Sequence, residues 1–256
     1  MDNLAKEIEK IVRESSNILL NSNNDKEIEQ KEGIGNLVTK YDKQVQKYLK
    51  ERLLNLIPDA LFIGEEEENN NKILEKGYTF IVDPIDGTMN FTRNLNLSAI
   101  SVALLKDNEL YIGVCYNPYS DEMYVAIKNK GAYLNNKRIR VSNRKLDEAI
   151  VIVGNAPYYS ELREKSLTIG KRLLEKSNDY RRLGSAVIDL CSIACGKAEV
   201  YYELRIQPWD CAAGILIVTE SGGIVTTIDG AKIDLNGPTS ILATNNMEDY
   251  SKYLDI

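Results

Sequence analysis

Hydrophobic residues recur at helical spacing near the start of the chain and then give way to short apolar runs. Leu4, Ile8 and Ile11 share one face of a predicted helix over residues 2–20. A second amphipathic helix follows Asp42. Asp42 could be only the N-cap of this helix, or it could have a further role. Apolar runs at residues 61–63 and 78–82 then predict two short buried strands.

The middle of the chain has the alternation of an antiparallel meander, with turn-rich segments between its strands. From about residue 146 strands alternate with helices, which is typical of α/β proteins. The meander strands are predicted at 98–105, 110–116 and 123–127; the later strands at 150–153, 200–202, 224–228 and 240–243; and the later helices at 160–176, 185–195 and 211–220. We therefore expect an α/β fold with one lobe at residues 1–145 and a second at residues 146–256.

Composition and charge narrow the classes of function. The chain has 256 residues and a net charge of −6, with no block rich in Lys or Arg, so nucleic acid is an unexpected partner. No apolar run approaches the ~20 residues that span a bilayer. The first ten residues are charged and lack the apolar core of a signal peptide. These features predict a cytoplasmic protein without a membrane segment.

Histidine is absent from the sequence, which excludes a Ser-His-Asp triad, a phosphohistidine intermediate and any His-ligated metal within the chain. The four cysteines form no CxxC pair, so reduced thiols in the core are expected. A metal ion would have to be held by carboxylates, carbonyls and water. Oxygen ligands favour Mg²⁺, with Mn²⁺ or Ca²⁺ as chemical alternatives.

The sequence Asp83-Pro84-Ile85-Asp86-Gly87-Thr88 directly follows the predicted strand at 78–82. It places two carboxylates at the end of a strand, where ligands of α/β sheets gather. Pro84 favours a rigid turn and Gly87 allows close approach of the backbone to a ligand. The motif therefore indicates a site for a hard cation and a phosphate, although an ordinary turn capped by Asp83 is the alternative.

Glu65 stands in a similar setting, because it follows the apolar strand at 61–63 and a glycine. The glutamates after it are typical of an exposed charged loop. Together with Gly64-Glu65-Glu66 and residues 83–88, the motif Trp209-Asp210-Cys211-Ala212-Ala213-Gly214 resembles the inositol monophosphatase family, within the lithium-sensitive, Mg²⁺-dependent phosphatase superfamily. The resemblance covers nearly the whole chain. It implies a layered α-β-α-β-α sandwich whose two lobes pack intimately.

The resemblance also implies which residues bind metal. A first Mg²⁺ would be held by Glu65, Asp83 and the Ile85 carbonyl, and a second by Asp83, Asp86 and Asp210. A third, weaker ion would be held near Glu65. A haloacid dehalogenase mechanism is excluded, since Pro84 occupies the position where that class carries its aspartyl nucleophile.

For catalysis, the resemblance implies that Thr88 contacts the nucleophilic water and that Asp42 orients the Thr88 hydroxyl. It implies that Glu65 is a catalytic residue as well as a metal ligand. Arg181-Arg182 could approach an anionic substrate or a neighbouring subunit, or could be a solvated pair. The loop at 66–77 carries no clue to specificity. The residues expected to contact substrate are Asp86, Gly87, Thr88, Ser185, Ala198 and Glu203.

The expected function is hydrolysis of small phosphate monoesters, with myo-inositol monophosphate as the first choice of substrate. The same chemistry on fructose 1,6-bisphosphate, 3′-phosphoadenosine 5′-phosphate or NADP(H) is the nearest alternative, because fold and metal site do not select among them. A moonlighting regulatory protein is an alternative of a different class. The resemblance further implies a homodimer and inhibition by lithium.

Overall fold

Six α-helices and fourteen β-strands lie in the part of the chain described by the computed structural model, which comprises residues 2–22, 27–30, 37–67, 73–155, 159–247 and 249–254. No helix in these ranges is long and apolar enough to cross a membrane. The helices are α1 (Asn3–Leu20), α2 (Lys40–Leu56), α3 (Thr88–Thr92), α4 (Arg163–Leu174), α5 (Ala186–Ala194) and α6 (Pro208–Glu220). The strands are β1 (Glu29–Gln30), β2 (Leu37–Val38), β3 (Leu61–Gly64), β4 (Tyr78–Asp86), β5 (Ala99–Lys106), β6 (Glu109–Asn117), β7 (Glu122–Ile127), β8 (Gly131–Leu134), β9 (Lys137–Arg138), β10 (Ile150–Gly154), β11 (Asp179–Arg181), β12 (Val200–Ile206), β13 (Ile224–Thr226) and β14 (Thr239–Thr244).

The larger sheet has seven strands in the order β3-β4-β5-β6-β7-β8-β9. β3 and β4 are parallel, and every later pair is antiparallel. The predicted meander is therefore confirmed. Most side chains of β5 and β7 are buried, because helices cover both faces of this sheet.

The smaller sheet has five strands in the order β11-β10-β12-β14-β13. β10 lies between β11 and β12 and is parallel to both, whereas β14 is antiparallel to β12 and β13. The short strand β11 was not predicted. Its three residues have no buried side chain, so the sequence shows no apolar run at that position.

Packing of the helices produces five layers. α1 and α2 pack on one face of the seven-stranded sheet, while α6 packs on its other face and lies beside α5. α5 and α6 also contact the five-stranded sheet, and α4 covers the far side of that sheet. The predicted α-β-α-β-α sandwich is confirmed. The boundary between lobes at residues 145 and 146 stays a prediction.

Several element boundaries differ from those expected. β4 does not end at Val82 but continues to Asp86 through a shift in its register with β5. α2 begins at Lys40, so Thr39 rather than Asp42 is its N-cap. α6 begins at Pro208. Proline suits the first helical position because the N–H at that position has no partner within the helix, so its absence costs no hydrogen bond.

The four cysteines are free thiols, as expected; Cys195 is half-buried and the other three are buried. They pack in the apolar layer between the two sheets. Part of the predicted 66–77 loop and the turn at Gly33 and Gly35 lie outside the described residues.

Candidate metal centre and cavity

The irregular end of β4 brings Asp83 and Asp86 to one place. In a regular strand two residues three positions apart point to opposite faces of the sheet. The register shift between Asp83 and Asp86 breaks that alternation, as a β-bulge does. The N–H of Ile85 donates a hydrogen bond of 2.9 Å to Asp83 Oδ1, which fixes this turn of the backbone.

Gly87 allows the chain to leave β4 and enter α3. Its φ is +83°, in the left-handed region that side chains disfavour. A Cβ atom at this position would lie 2.9 Å from the carbonyl oxygen of Leu97. A glycine is therefore required where the strand carrying the two aspartates ends.

Three carboxylates converge at this point. One oxygen from each of Asp83, Asp86 and Asp210 lies within 4.8 Å of the other two. Asp210 arrives from the first turn of α6, where its Oδ2 accepts a hydrogen bond of 3.3 Å from the N–H of Gln207. The structure therefore assembles these predicted metal ligands from two segments that are far apart in the sequence.

Glu65 lies beside this cluster without belonging to it. It follows β3, and its N–H donates a hydrogen bond of 3.1 Å to the Val82 carbonyl. Its side chain lines the same cavity as the three aspartates. The position suits the predicted contact of Glu65 with the first Mg²⁺, and the role of Glu65 stays a prediction.

Burial makes ionisation of the clustered carboxyls unfavourable. The pKa of Asp83 is raised well above its usual range by burial, and the charges of Glu65, Asp86 and Asp210 raise it further. Burial also raises the pKa of Asp210. The pKa of Asp86 is raised to about 7 by burial, against the lowering effect of hydrogen bonds from Ser185 and Val187. Converging carboxylates of this kind need a positive charge to stay ionised at neutral pH.

No lysine or arginine among the described residues forms an ion pair with Asp83, Asp86 or Asp210. The cluster thus presents carboxylate oxygens at close spacing without a protein cation to balance them. Hard divalent cations prefer such oxygen ligands. The residues therefore fit a metal ion, and Mg²⁺ as its identity stays a prediction.

Asp42 links the start of α2 to Thr88. Its Oδ2 accepts hydrogen bonds of 2.7 and 2.5 Å from the N–H and the hydroxyl of Thr39, which forms a capping box. Its Oδ1 accepts a bond of 3.2 Å from the Thr88 hydroxyl, which also lies 3.1 Å from the Ile85 carbonyl. Burial raises the pKa of Asp42 to about 7. Asp42 is thus both part of the cap and a partner of Thr88.

Ser185 lines the cavity and also forms a hydrogen bond with Asp86. Its hydroxyl donates a short hydrogen bond to Asp86 Oδ2 and accepts one of 3.3 Å from the N–H of Ile188, so Ser185 is the N-cap of α5. The N–H of Val187 adds a bond of 2.8 Å to the same Asp86 oxygen. The start of α5 therefore holds Asp86 in place.

Ala198 does not reach the cavity, so the structure does not support its predicted contact with substrate. It is 2% exposed and packs in the apolar layer between the sheets, just before β12. Ala186, the residue after Ser185, lines the cavity instead.

A cavity of about 500 Å³ opens beside the cluster. Glu203 of β12 lines it, as predicted, and accepts a hydrogen bond of 2.7 Å from the Tyr201 hydroxyl. A side chain at Gly154, on the neighbouring strand β10, would collide with the Glu203 carboxyl. Gly154 therefore leaves room for Glu203 at the wall of the cavity.

Sequence reasoning missed several cavity residues that no motif marks. Asp189 is 2% exposed, and burial raises the pKa of its carboxyl well above the usual range. It lies one helical turn after Ser185, a spacing that could have indicated a shared face. The guanidinium of Arg205 lies 4.4 Å from the centre of the Tyr159 ring. Asp189, Tyr159 and Arg205 line the cavity, and so does Arg182, which the sequence analysis had named as able to approach an anionic substrate.

Comparison with known proteins agrees with this geometry. The model of the inositol monophosphatase family matches residues 1–255. The inositol-1-monophosphatase of Bacillus subtilis (strain 168) is 33% identical over 218 residues, covering 85% of this chain and 82% of that protein. The Nus factor SuhB of Xylella fastidiosa is 36% identical over 205 residues, covering 78% of this chain and 73% of that protein. The structure of a Thermotoga maritima IMPase superposes with a TM-score of 0.87 at 31% identity, covering 99% and 97% of the two chains. The chain therefore belongs to the inositol monophosphatase family, a family of phosphoric monoester hydrolases.

Proposed function

We propose that this chain catalyses the Mg²⁺-dependent hydrolysis of small polyol phosphates, with myo-inositol monophosphate as the favoured substrate. The observation that carries the proposal is the convergence of Asp83, Asp86 and Asp210 within 4.8 Å at the edge of a cavity of about 500 Å³. A cavity of this size falls in the range that small-molecule sites occupy. The name of the Bacillus subtilis relative agrees with this substrate.

The residues that would hold Mg²⁺ are those at the end of β4 and their neighbours. When bound, two divalent cations neutralise a phosphate dianion and acidify a water molecule, which replaces the histidine that this chain lacks. The protein keeps the ligand set preorganised through hydrogen bonds from Ser185 and Val187 to Asp86. The proposed ligands are Glu65, Asp83, the Ile85 carbonyl, Asp86 and Asp210, with a third, weaker ion near Glu65.

Thr88 and Asp42 would position the reacting water. A hydroxyl carries a single hydrogen, so a Thr88 hydroxyl that donates to Asp42 turns its lone pairs elsewhere. Those lone pairs can then accept a hydrogen bond from a water molecule in the cavity, which Thr88 lines. A proton that this water gives up would pass to the Thr88 oxygen as the Thr88 hydrogen passes to Asp42. The N–H groups of Gly87 and Thr88 would hold the phosphate at the start of α3.

Replacing Thr88 by valine tests this role. Thr88→Val keeps the shape of the side chain and removes the hydroxyl, so we expect kcat to fall roughly 10²-fold, the lower end of general acid–base contributions. KM should change little, because the metal ligands are untouched. Steady-state kinetics with myo-inositol 1-phosphate measure both constants. The matched control is Thr92→Val on the same helix, whose hydroxyl donates only within α3 to Met89. An unchanged kcat in Thr88→Val would contradict the role.

The cavity wall supports a polyol as substrate. Glu203 presents carboxylate oxygens, and these accept hydrogen bonds from hydroxyl groups. The same oxygens would repel a second phosphate placed against them. Glu203 therefore favours a neutral, hydroxyl-rich group at this wall.

A substrate with a second phosphate is the next candidate, and one observation favours it. Arg182 and Arg205 line the cavity, and neither guanidinium forms an ion pair with a described residue. Arginines of this kind can bind phosphate in a bidentate manner. Fructose 1,6-bisphosphate, 3′-phosphoadenosine 5′-phosphate and NADP(H) would each bring such a group.

Phosphate release from a panel of esters tests the proposal and separates the candidates. Purified protein is assayed with and without Mg²⁺ on myo-inositol 1-phosphate, fructose 1,6-bisphosphate, 3′-phosphoadenosine 5′-phosphate and NADP. We expect Mg²⁺-dependent release, fastest from myo-inositol 1-phosphate. A clear preference for a compound with more than one phosphate would replace the substrate and keep the metal chemistry. Absence of release from every compound would refute the proposal.

A regulatory role alone is the alternative of a different class, since the relative from Xylella fastidiosa bears the name of a Nus factor. A protein used only in that way would not need the ligand cluster. An Asp86→Asn variant that kept full cellular function would favour this alternative. A homodimer, lithium inhibition and a cytoplasmic location stay predictions, the first two open to light scattering and to assays with added LiCl.

A further inference from the structure

Asp189 occupies a position on α5 that faces the substrate cavity. Its N–H donates a hydrogen bond of 3.0 Å to the carbonyl of Ser185, one turn earlier. Ser185 reaches Asp86 from that end of the helix, and Asp189 lines the cavity one turn further along. The carboxyl therefore lies at the part of the wall next to the metal ligands but belongs to a different element.

The carboxyl of Asp189 has no partner among the described residues. The residue is 2% exposed, and its Oδ1 is buried and accepts no hydrogen bond from a described residue. Glu203 differs, because Tyr201 donates a hydrogen bond of 2.7 Å to it. Buried polar atoms are almost always hydrogen-bonded in folded proteins, and an exception calls for a reason. A ligand in the cavity that donates a hydrogen bond to this carboxyl would be such a reason.

The surroundings of Asp189 indicate the chemistry of that ligand. The charges of Asp86 and Glu203 act on Asp189, which places acidic groups around it on the cavity side. Arg182 acts on it in the opposite sense without forming an ion pair. A hydroxyl group of a ligand can donate a hydrogen bond to the Asp189 carboxyl, whereas a fully ionised second phosphate has no hydrogen to donate.

We propose that Asp189 is a substrate-recognition residue, whose carboxyl hydrogen-bonds a hydroxyl of the polyol next to the hydroxyl held by Glu203. This inference rests on the proposed function, because it assigns a residue to the substrate of the same site. Two acidic groups on neighbouring parts of the wall would recognise a pair of ring hydroxyls. Asp189 then selects hydroxyl-rich phosphate esters over esters that lack hydroxyls.

The test compares two substrates with one variant that removes the carboxyl. Asp189→Ala should raise KM for myo-inositol 1-phosphate roughly 10- to 100-fold, which is the effect of losing a hydrogen bond to a carboxyl. Its kcat should change little. Kinetics on p-nitrophenyl phosphate, which has no hydroxyl groups, should be the same in the variant and the wild type. Asp189→Asn keeps an acceptor oxygen and should restore most of the affinity.

Two controls separate recognition from an effect on folding. Ser192→Ala alters α5 one turn further on, where Ser192 donates only to the Ile188 carbonyl, and should leave both substrates unaffected. If Asp189→Ala unfolds, Asp189→Leu has a similar size and no hydrogen-bonding group, and takes its place. Equal losses on both substrates, or no loss on either, would overturn the role of Asp189.

The proposed function and this inference can fail separately. A wild type that releases no phosphate from any ester would refute the proposed function. Calorimetric titration with myo-inositol 1-phosphate and Mg²⁺ would then measure binding without turnover. Weaker binding by Asp189→Ala would still support recognition, and equal binding or none would overturn it.

Discussion

Asp83→Asn is expected to lower Mg²⁺-dependent phosphate release by about 10³-fold or more while the protein stays folded. Asp83 belongs to the three-carboxylate cluster and would contact both proposed ions. Metal ions supply several kcal/mol of transition-state stabilisation, and each ~1.4 kcal/mol corresponds to a factor of ten in rate. The amide keeps the size of the side chain and its ability to accept a hydrogen bond from the N–H of Ile85.

The same variant should lose stabilisation by metal. Ligand at about 100 times its dissociation constant stabilises a protein by about 2.7 kcal/mol, so Mg²⁺ should raise the melting temperature of the wild type. Asp83→Asn should show little of this shift. Asp59→Asn, at an exposed turn, is the matched control and should behave as the wild type. An Asp83→Asn variant with wild-type turnover would remove Asp83 from the mechanism.

The three-carboxylate cluster could be predicted from the sequence because its members belong to local motifs. Asp83 and Asp86 lie in one short segment, and Asp210 lies in another with its own pattern. What the local pattern did not reveal was how Asp83 and Asp86 reach the same side of the sheet. That depends on the register shift against β5, which is a property of strand pairing.

Contacts between distant segments account for the other differences. The bond from Ser185 to Asp86 joins residues 99 positions apart, and Ser185 by itself is recognisable only as a helix cap. Asp189 follows an apolar residue in a helix that is buried on most sides, so its spacing of one turn from Ser185 is the only signal of its position in the sequence. Only the packing of α5 against the end of β4 reveals its position.

The site is built largely from helix starts, and this ties its chemistry to the stability of the fold. Asp42 and Asp210 each occupy the third position of a helix and take part in capping boxes. Ser185 caps α5 and holds Asp86. A helix N-terminus favours negative charge, which partly offsets the burial of these carboxylates. Loss of Asp42 or Asp210 therefore affects both the candidate site and a helix end.

Without metal, the free energy of unfolding should fall as pH rises from about 4 to about 8. The pKa values of Asp42 and Asp86 in the folded protein are raised to about 7 from the ordinary value of 3.8. Between these values the folded state binds more protons than the unfolded state, so stability decreases with pH. The stabilisation is complete below the unfolded pKa and is lost as pH rises through the folded pKa. The pKa values of Asp83 and Asp210 are shifted in the same direction, so these groups add to the loss.

Urea unfolding in EDTA at about pH 5 and about pH 8 measures this loss, and added Mg²⁺ should remove most of it because a bound cation stabilises the ionised carboxylates. Asp210→Asn should flatten the dependence in EDTA, since it removes one of the repelling charges, whereas Asp59→Asn should not. Exposed carboxyls with lowered pKa values, such as Asp121, act in the opposite sense only at lower pH. Parallel pH profiles with EDTA and with Mg²⁺ would contradict the prediction, because they would mean that the cluster does not exchange protons for metal.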